Sequence, residues 1–192
     1  MVKFSKANAK IEALQEVPSL QPYLKGKKVY SFDLLSGYSC PFAKQCLSKA
    51  TVNAEGKRKI KDGPDTEFRC FSASQEVQYT NVYNLRKHNF DSLKNLSTGE
   101  MVQRLQMAIM NDTGICRIHV AGDFFNQKYF DAWLALAALK PKILFYAYTK
   151  SLRYWLHRRA VVDSLPNFIL TASYGGRDDE LIDSQNLRSA KV

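Results

Sequence analysis

Apolar and polar positions change rhythm along the chain, and that change divides it into parts. From Ile115 onward, short apolar runs alternate with longer stretches of helical spacing. Ile115 to Ala121, Ile143 to Tyr148 and Phe168 to Ser173 read as strands. Their exits are Gly122-Asp123, Thr149-Lys150-Ser151 and Tyr174-Gly175-Gly176. Between them, Gln127 to Leu139 and residues 152–164 repeat apolar side chains at helical spacing. Val29 to Leu35 is an earlier strand, stopping at Ser36-Gly37. Strands that alternate with amphipathic helices form parallel βαβ units with right-handed crossovers. The expected fold class is therefore α/β: parallel strands with flanking helices, the four strands curving into a partial (β/α) barrel.

The rest of the chain is less regular. Residues 1–28 form an N-terminal extension, with a short helix near 7–16 and a loop broken by Pro18 and Pro22. Residues 36–75 have little helical periodicity, and loops of that size tend to be functional or disordered. Within them, Thr51 to Asn53, Ala54-Glu55-Gly56 and Lys57 to Lys61 predict a hairpin with a basic returning arm. Ser74 is placed to cap a helix over 76–94, with Val77, Val82, Tyr83, Leu85 and Phe90 inward. Ser97 and Glu100 make a capping box that opens a second helix over 98–111. Asp178-Asp179-Glu180 begins a short helix. Residues 1–192 read as one domain, with βα repeats over 76–176.

Composition narrows the function. With 192 residues the chain can bury a core of its own. A formal charge of +10 suits an anionic partner, nucleic acid or nucleotide, and equally a solvated basic surface. Lys57, Arg58, Lys59 and Lys61 carry the same two readings. No apolar run approaches the ~20 residues that span a membrane, and Met1 to Lys10 has no signal-peptide core. The expected location is the cytoplasm. Thiols stay reduced there, so the four cysteines point to metal or redox chemistry before disulfides.

Cys40 and Cys46 lie six apart, and Cys70 follows 24 residues later. All three come after the first strand and before the first long helix, so they emerge at the strand's C-terminal end. Parallel α/β folds carry their ligands at that end. Thiolates suit zinc or iron–sulfur clusters. Structural zinc takes four ligands, usually in tight pairs; a cluster with one open iron needs only three thiolates. The bland alternative is three buried free thiols. Cys116 starts its strand, about 20 Å from the strand's exit at 3.3 Å per residue, and reads as a small core side chain.

Strand alternation assigns the polar side chains. Arg117, His119, Ala121 and Asp123 share one face, opposite Cys116, Ile118, Val120 and Gly122. Ser31 and Asp33, Tyr146, Tyr148 and Lys150, and Thr171 and Ser173 extend the polar face across the other strands. Buried charges need partners or a ligand. The polar face therefore lines a shared cavity or forms a satisfied internal network, and His119 by itself fits a core histidine.

This arrangement resembles the radical SAM superfamily, in particular phage-encoded radical-SAM-like iron–sulfur proteins of unknown function. In that superfamily three cysteines in the loop after the first strand hold a 4Fe–4S cluster; Cys40, Cys46 and Cys70 stand in that loop here. Ala121-Gly122-Asp123 stands where a Gly-Gly-Glu-like motif contacts S-adenosylmethionine. Thr149-Lys150-Ser151 looks like the Thr-Asn-Gly-like turn of the third strand, and Ser173-Tyr174-Gly175 loosely like the Ser-x-Asp-like turn of the fourth. The resemblance covers about residues 29–176. It implies a 4Fe–4S cofactor on Cys40, Cys46 and Cys70, and S-adenosylmethionine against Arg117, His119, Gly122 and Asp123. The family's cysteines are spaced by three and then two residues; here the gaps are five and twenty-three. Only four strands are visible in the sequence, so a second copy of the chain, as a homo-oligomer, is a candidate to complete the barrel.

Overall fold

The computed structural model describes residues 1–191. The chain opens with β1 (Ser5–Lys6), α1 (Ala9–Glu12), two 3₁₀ turns (Ala13–Glu16 and Pro18–Leu20) and α2 (Gln21–Leu24). Then come β2 (Lys28–Phe32) and the hairpin of β3 (Ser48–Val52) and β4 (Arg58–Asp62). Next are α3 (Phe71–Gln78), α4 (Thr80–Leu93) and α5 (Thr98–Ala108). The βα repeats follow: β5 (Thr113–Ile118), α6 (Gln127–Leu139), β6 (Leu144–Thr149), α7 (Leu152–His157), α8 (Arg159–Ser164) and β7 (Phe168–Ser173). The chain closes with α9 (Glu180–Ser184) and β8 (Ser189–Ala190).

The main sheet has six strands in the order β1-β2-β5-β6-β7-β8. All neighbours pair parallel except β1, which runs antiparallel to β2. This is a mixed α/β fold with a mostly parallel sheet and flanking helices. The sheet is open, with β1 and β8 as its edges. β2, β5, β6, β7 and β8 sit in chain order, so right-handed crossovers all step the same way and carry the helices to one face. Phe32, Ile118, Phe145, Ala147 and Leu170 point into that face. Trp133 of α6 packs edge-on to Phe32 at 5.5 Å and Phe145 at 6.0 Å. Burying each such side chain contributes about 1.5–3 kcal/mol.

The opposite face has two halves. At its lower end Val29, Ile115 and Leu144 are covered by Ile11 and Leu24 from α1 and α2. The N-terminal segment, expected as an extension with a proline-broken loop, is thus a floor under the sheet. Pro18 and Pro22 sit at helix starts, where a missing N–H costs nothing. The upper half of the same face carries Arg117, Tyr148, Lys150 and Ser173.

Several expected boundaries shift. β2 ends at Phe32 and β5 at Ile118, each three residues early. The helix expected over 76–94 begins at Phe71 and breaks at Tyr79, whose backbone is extended (φ −113°, ψ 111°). Ser74 does not cap it: its hydroxyl donates to Cys70 O one turn back. The helix over 152–164 breaks at Arg158. The Ser97–Glu100 capping box is present, and so is the hairpin. Among the described residues no helix is long and apolar enough to cross a membrane.

Candidate functional site

The loop after β2 is fastened residue by residue. Asp33 is buried, and its carboxylate accepts from the amides of Val120 (2.7 Å) and Ala121 (3.2 Å). Leu34 N donates to Ala121 O at 3.0 Å, so the exits of β2 and β5 are stitched together. Ser36 donates from its amide (3.0 Å) and hydroxyl (2.7 Å) to Glu76 on α3. Arg86 of α4 meets the same carboxylate at 3.2 Å, and both charges are buried. Gly37 then turns the chain at φ 70°; a Cβ there would lie 2.4 Å from Ser48 O. Its amide donates to Cys40 Sγ at 3.4 Å.

The other cysteines reach the same place by different routes. Lys44 N and Gln45 N donate to Gly175 O at 3.2 and 3.1 Å, which holds the stretch before Cys46 on the exit of β7. Cys70 N donates to Ser48 Oγ at 3.2 Å, at the foot of the hairpin. Cys40, Cys46 and Cys70 line one cavity of about 160 Å³. Arg117, His119, Gly122, Asp123, Tyr148, Lys150 and Ser173 line it too. Every predicted metal and cofactor residue therefore borders one space at the C-terminal pole of the parallel strands. Cys116 does not; it is fully buried in the helix-side core.

Within the cavity, geometry assigns different roles to the polar groups. Asp123 accepts from Phe124 N (2.7 Å) and Thr149 Oγ1 (2.6 Å) on one oxygen and Lys150 N (2.8 Å) on the other. It ties the exits of β5 and β6 together, a contact made inside the protein. Lys150 Nζ donates to Ser173 Oγ at 2.9 Å and Tyr174 O at 2.6 Å. His119 departs from the expected alternation. Its φ of 68° is left-handed, so its ring turns to the helix layer and shares a hydrogen bond with Tyr129 of α6 at 3.0 Å. Val120 then falls on the opposite face, against the Val29–Ile115–Leu144 cluster, where alternation had placed it with Ile118. The turn follows from Asp33, which captures the two amides just beyond. His119 Nδ1 and Arg117 Nε are buried without a partner, while the Arg117 guanidinium lies 5.5 Å from the Tyr148 ring centre.

Burial dominates the electrostatics. It raises the Cys40 thiol, with nearby Asp123 adding to the rise. It also raises Cys46, against the pull of Lys150. Asp123 is raised by burial, opposed by its hydrogen bonds from Thr149 and Lys150 N. His119 is lowered to about 3 by burial and then by Arg117, so its ring is neutral. The thiol donors are soft ligands. A lone zinc ion holds its sulfurs at ≈ 2.3 Å, and among the described residues no three His, Cys, Asp or Glu side chains are grouped to hold one metal ion. A cubane binds each thiolate to a different iron, which asks for thiols spread around one space. Cys40, Cys46 and Cys70 all line the cavity.

Sequence reasoning did not find the fasteners: the Ser36–Glu76–Arg86 cluster and the grip of Gly175 on residues 44–45. Gly175-Gly176 directly after a strand was the available signal for the second. Glu76 gave none, since a lone acid in an amphipathic helix reads as solvent-facing.

Fold and site together define a mixed α/β protein with a mostly parallel sheet and a cysteine-lined cavity at its C-terminal pole. A family model described as Gene product 88 matches residues 2–192. The chain belongs to that family of phage proteins. No curated protein and no solved structure matches it.

Proposed function

We propose that the chain binds a 4Fe–4S cluster through Cys40, Cys46 and Cys70 and leaves the fourth iron open to a small ligand. The observation that carries this is that two thiols from the β2–β3 loop and one from the segment after β4 border one cavity at the pole where parallel α/β folds hold ligands. The Gly37 amide on Cys40 Sγ supports it, since N–H donors to cluster sulfurs tune potential. A bound cluster would supply one-electron chemistry.

The chain's own residues do the rest. Cys40 and Cys46, raised by burial, must lose protons to become ligands, so loading is coupled to proton release. Lys150 and Arg117 set positive charge beside the thiolates. S-adenosylmethionine is the ligand that the radical-SAM resemblance implies, and Arg117, His119 and Gly122 border the room for it. Asp123 acts as a positioning residue, because its oxygens hold the exits of β5 and β6 in place. The cysteine gaps of five and twenty-three residues favour a second reading, a cluster used for electron transfer or sensing without radical chemistry.

The test is visible absorbance and iron content of protein purified without oxygen, in four single variants. Cys40→Ser, Cys46→Ser and Cys70→Ser each lose the chromophore, and Cys116→Ser keeps it. Equal retention in all four would overturn the assignment. Incubating loaded protein with S-adenosylmethionine and a strong reductant separates the two readings: cleavage supports the radical one, and none leaves electron transfer or sensing.

A further inference from the structure

The hairpin of β3 and β4 stands beside the cysteine cavity and has two unlike faces. Cross-strand register puts Ala50 opposite Ile60 on one face and Lys49 opposite Lys61, with Thr51 opposite Lys59, on the other. The first face is packed: Ala50 is buried with Leu35 and Tyr83. The second faces outward, with Lys59 and Lys61 exposed. Like charges placed directly opposite one another destabilise a strand pair. Among the described residues none of Lys49, Lys57, Lys59 and Lys61 forms an ion pair. The nearest acid on β4, Asp62, is taken by Arg69 at 2.9 Å. The hairpin thus concentrates repelling cations on one face and leaves them unneutralised.

An aromatic ring borders that face. Lys49 Nζ lies 4.9 Å from the ring centre of Tyr38, which is 41% exposed. Tyr38, Lys49, Lys61 and Pro64 line a groove of about 380 Å³. Residues two apart on a strand lie about 6.8 Å apart, which places Lys59 and Lys61 to follow successive phosphates of an extended strand. Cations that track a backbone beside rings that accept base faces are the elements of single-strand nucleic-acid binding. A duplex keeps its base faces stacked inside and cannot use the ring.

The geometry points to this outward hairpin face, with Tyr38, as a docking surface for single-stranded nucleic acid. The inference goes beyond the cluster reading and does not depend on what the cysteines hold.

Fluorescence anisotropy of the full chain with labelled single-stranded DNA and RNA of about 20 nucleotides, and a duplex of the same sequence, tests this. Single strands bind, and raising salt from about 50 to about 200 mM weakens them roughly 20- to 50-fold for three to four phosphate contacts. The double variant Lys59→Ala/Lys61→Ala loses about tenfold or more at low salt and has a shallower salt slope. Tyr38→Ala loses about fivefold or more with an unchanged slope. Lys140→Ala/Lys142→Ala, a like charge loss at the far pole, changes little. Tyr38, Lys59, Lys61 and Lys142 are exposed and Lys140 is half-buried, and matching circular dichroism melts check that every variant folds. Absent binding at low salt, equal loss in the far-pole control, duplex binding as tight as single-strand binding, or equal displacement by polyglutamate would each overturn the inference.

Discussion

His119 is a buried base held neutral, and that makes it a source of acid sensitivity. Its folded pKa of about 3 lies below the ≈ 6.5 of an exposed histidine. Between those values the unfolded chain binds one more proton than the folded one. The stabilisation is therefore complete above about pH 6.5 and falls as pH drops, by about 1.4 kcal/mol per pH unit. Asp33 and Asp123 are raised by burial and act in the opposite direction. The comparison of wild type with His119→Gln isolates the histidine: denaturant unfolding from pH 7 to pH 5 shows a steeper loss in wild type. Equal slopes would contradict a buried neutral ring. Gly122 offers a second residue-scale check. It sits at φ 87°, where a Cβ would lie 2.5 Å from Ser39 Oγ and 2.8 Å from Leu34 Cβ. Gly56 is also left-handed, at φ 75°, but has open space around it. Gly56→Ala costs about 1–2 kcal/mol of backbone strain, and Gly122→Ala costs clearly more in urea unfolding. At this scale strand ends and chemistry are local properties, and Cys40, Cys46, Cys70, Arg117, Tyr148, Lys150 and Ser173 line the cavity as expected, while Ser31, Asp33, Tyr146 and Thr171, expected on the same polar face, do not. The sequence missed the direction of His119, because the left-handed turn is imposed by Asp33, in the loop after the neighbouring strand β2.

At the scale of elements, α3 and α4 exist to hold the cysteine loop. Glu76 and Arg86 form a buried pair, and Glu76 also receives both donors of Ser36. Removing one partner of a buried pair costs about 3–5 kcal/mol, since it strands the other charge. Glu76→Ala therefore lowers stability by about that amount in urea unfolding, and Glu76→Gln, which keeps hydrogen bonds to Ser36, lowers it less. A loss in Glu76→Ala no larger than that of an ordinary surface change would show that the pair does not fasten the loop. The elements set by local signals were readable. The Ser97–Glu100 box opens α5, and α6 and β7 fall at their expected limits. The break at Tyr79 was not, because it serves a tertiary need: α3 turns independently of α4 to bring Cys70 and Glu76 under the loop. β1 and β8 have two residues each and carry too little pattern to be seen.

For the whole molecule, one sheet separates two tasks. Its helix side holds the large core around Trp133 and Phe145. Its other side is closed below by α1 and α2 and open above to the cavity. The βα rhythm announced the sheet, but the floor was hidden because helical turns of three or four residues that open on proline look like loop. Both halves converge on a single central claim, that Cys40, Cys46 and Cys70 share one iron–sulfur cluster. Iron and acid-labile sulfide determined together on wild-type protein, purified and reconstituted without oxygen, test it most directly. The account predicts about four of each per chain. Protein that retains neither iron nor sulfide after reconstitution and desalting would contradict it.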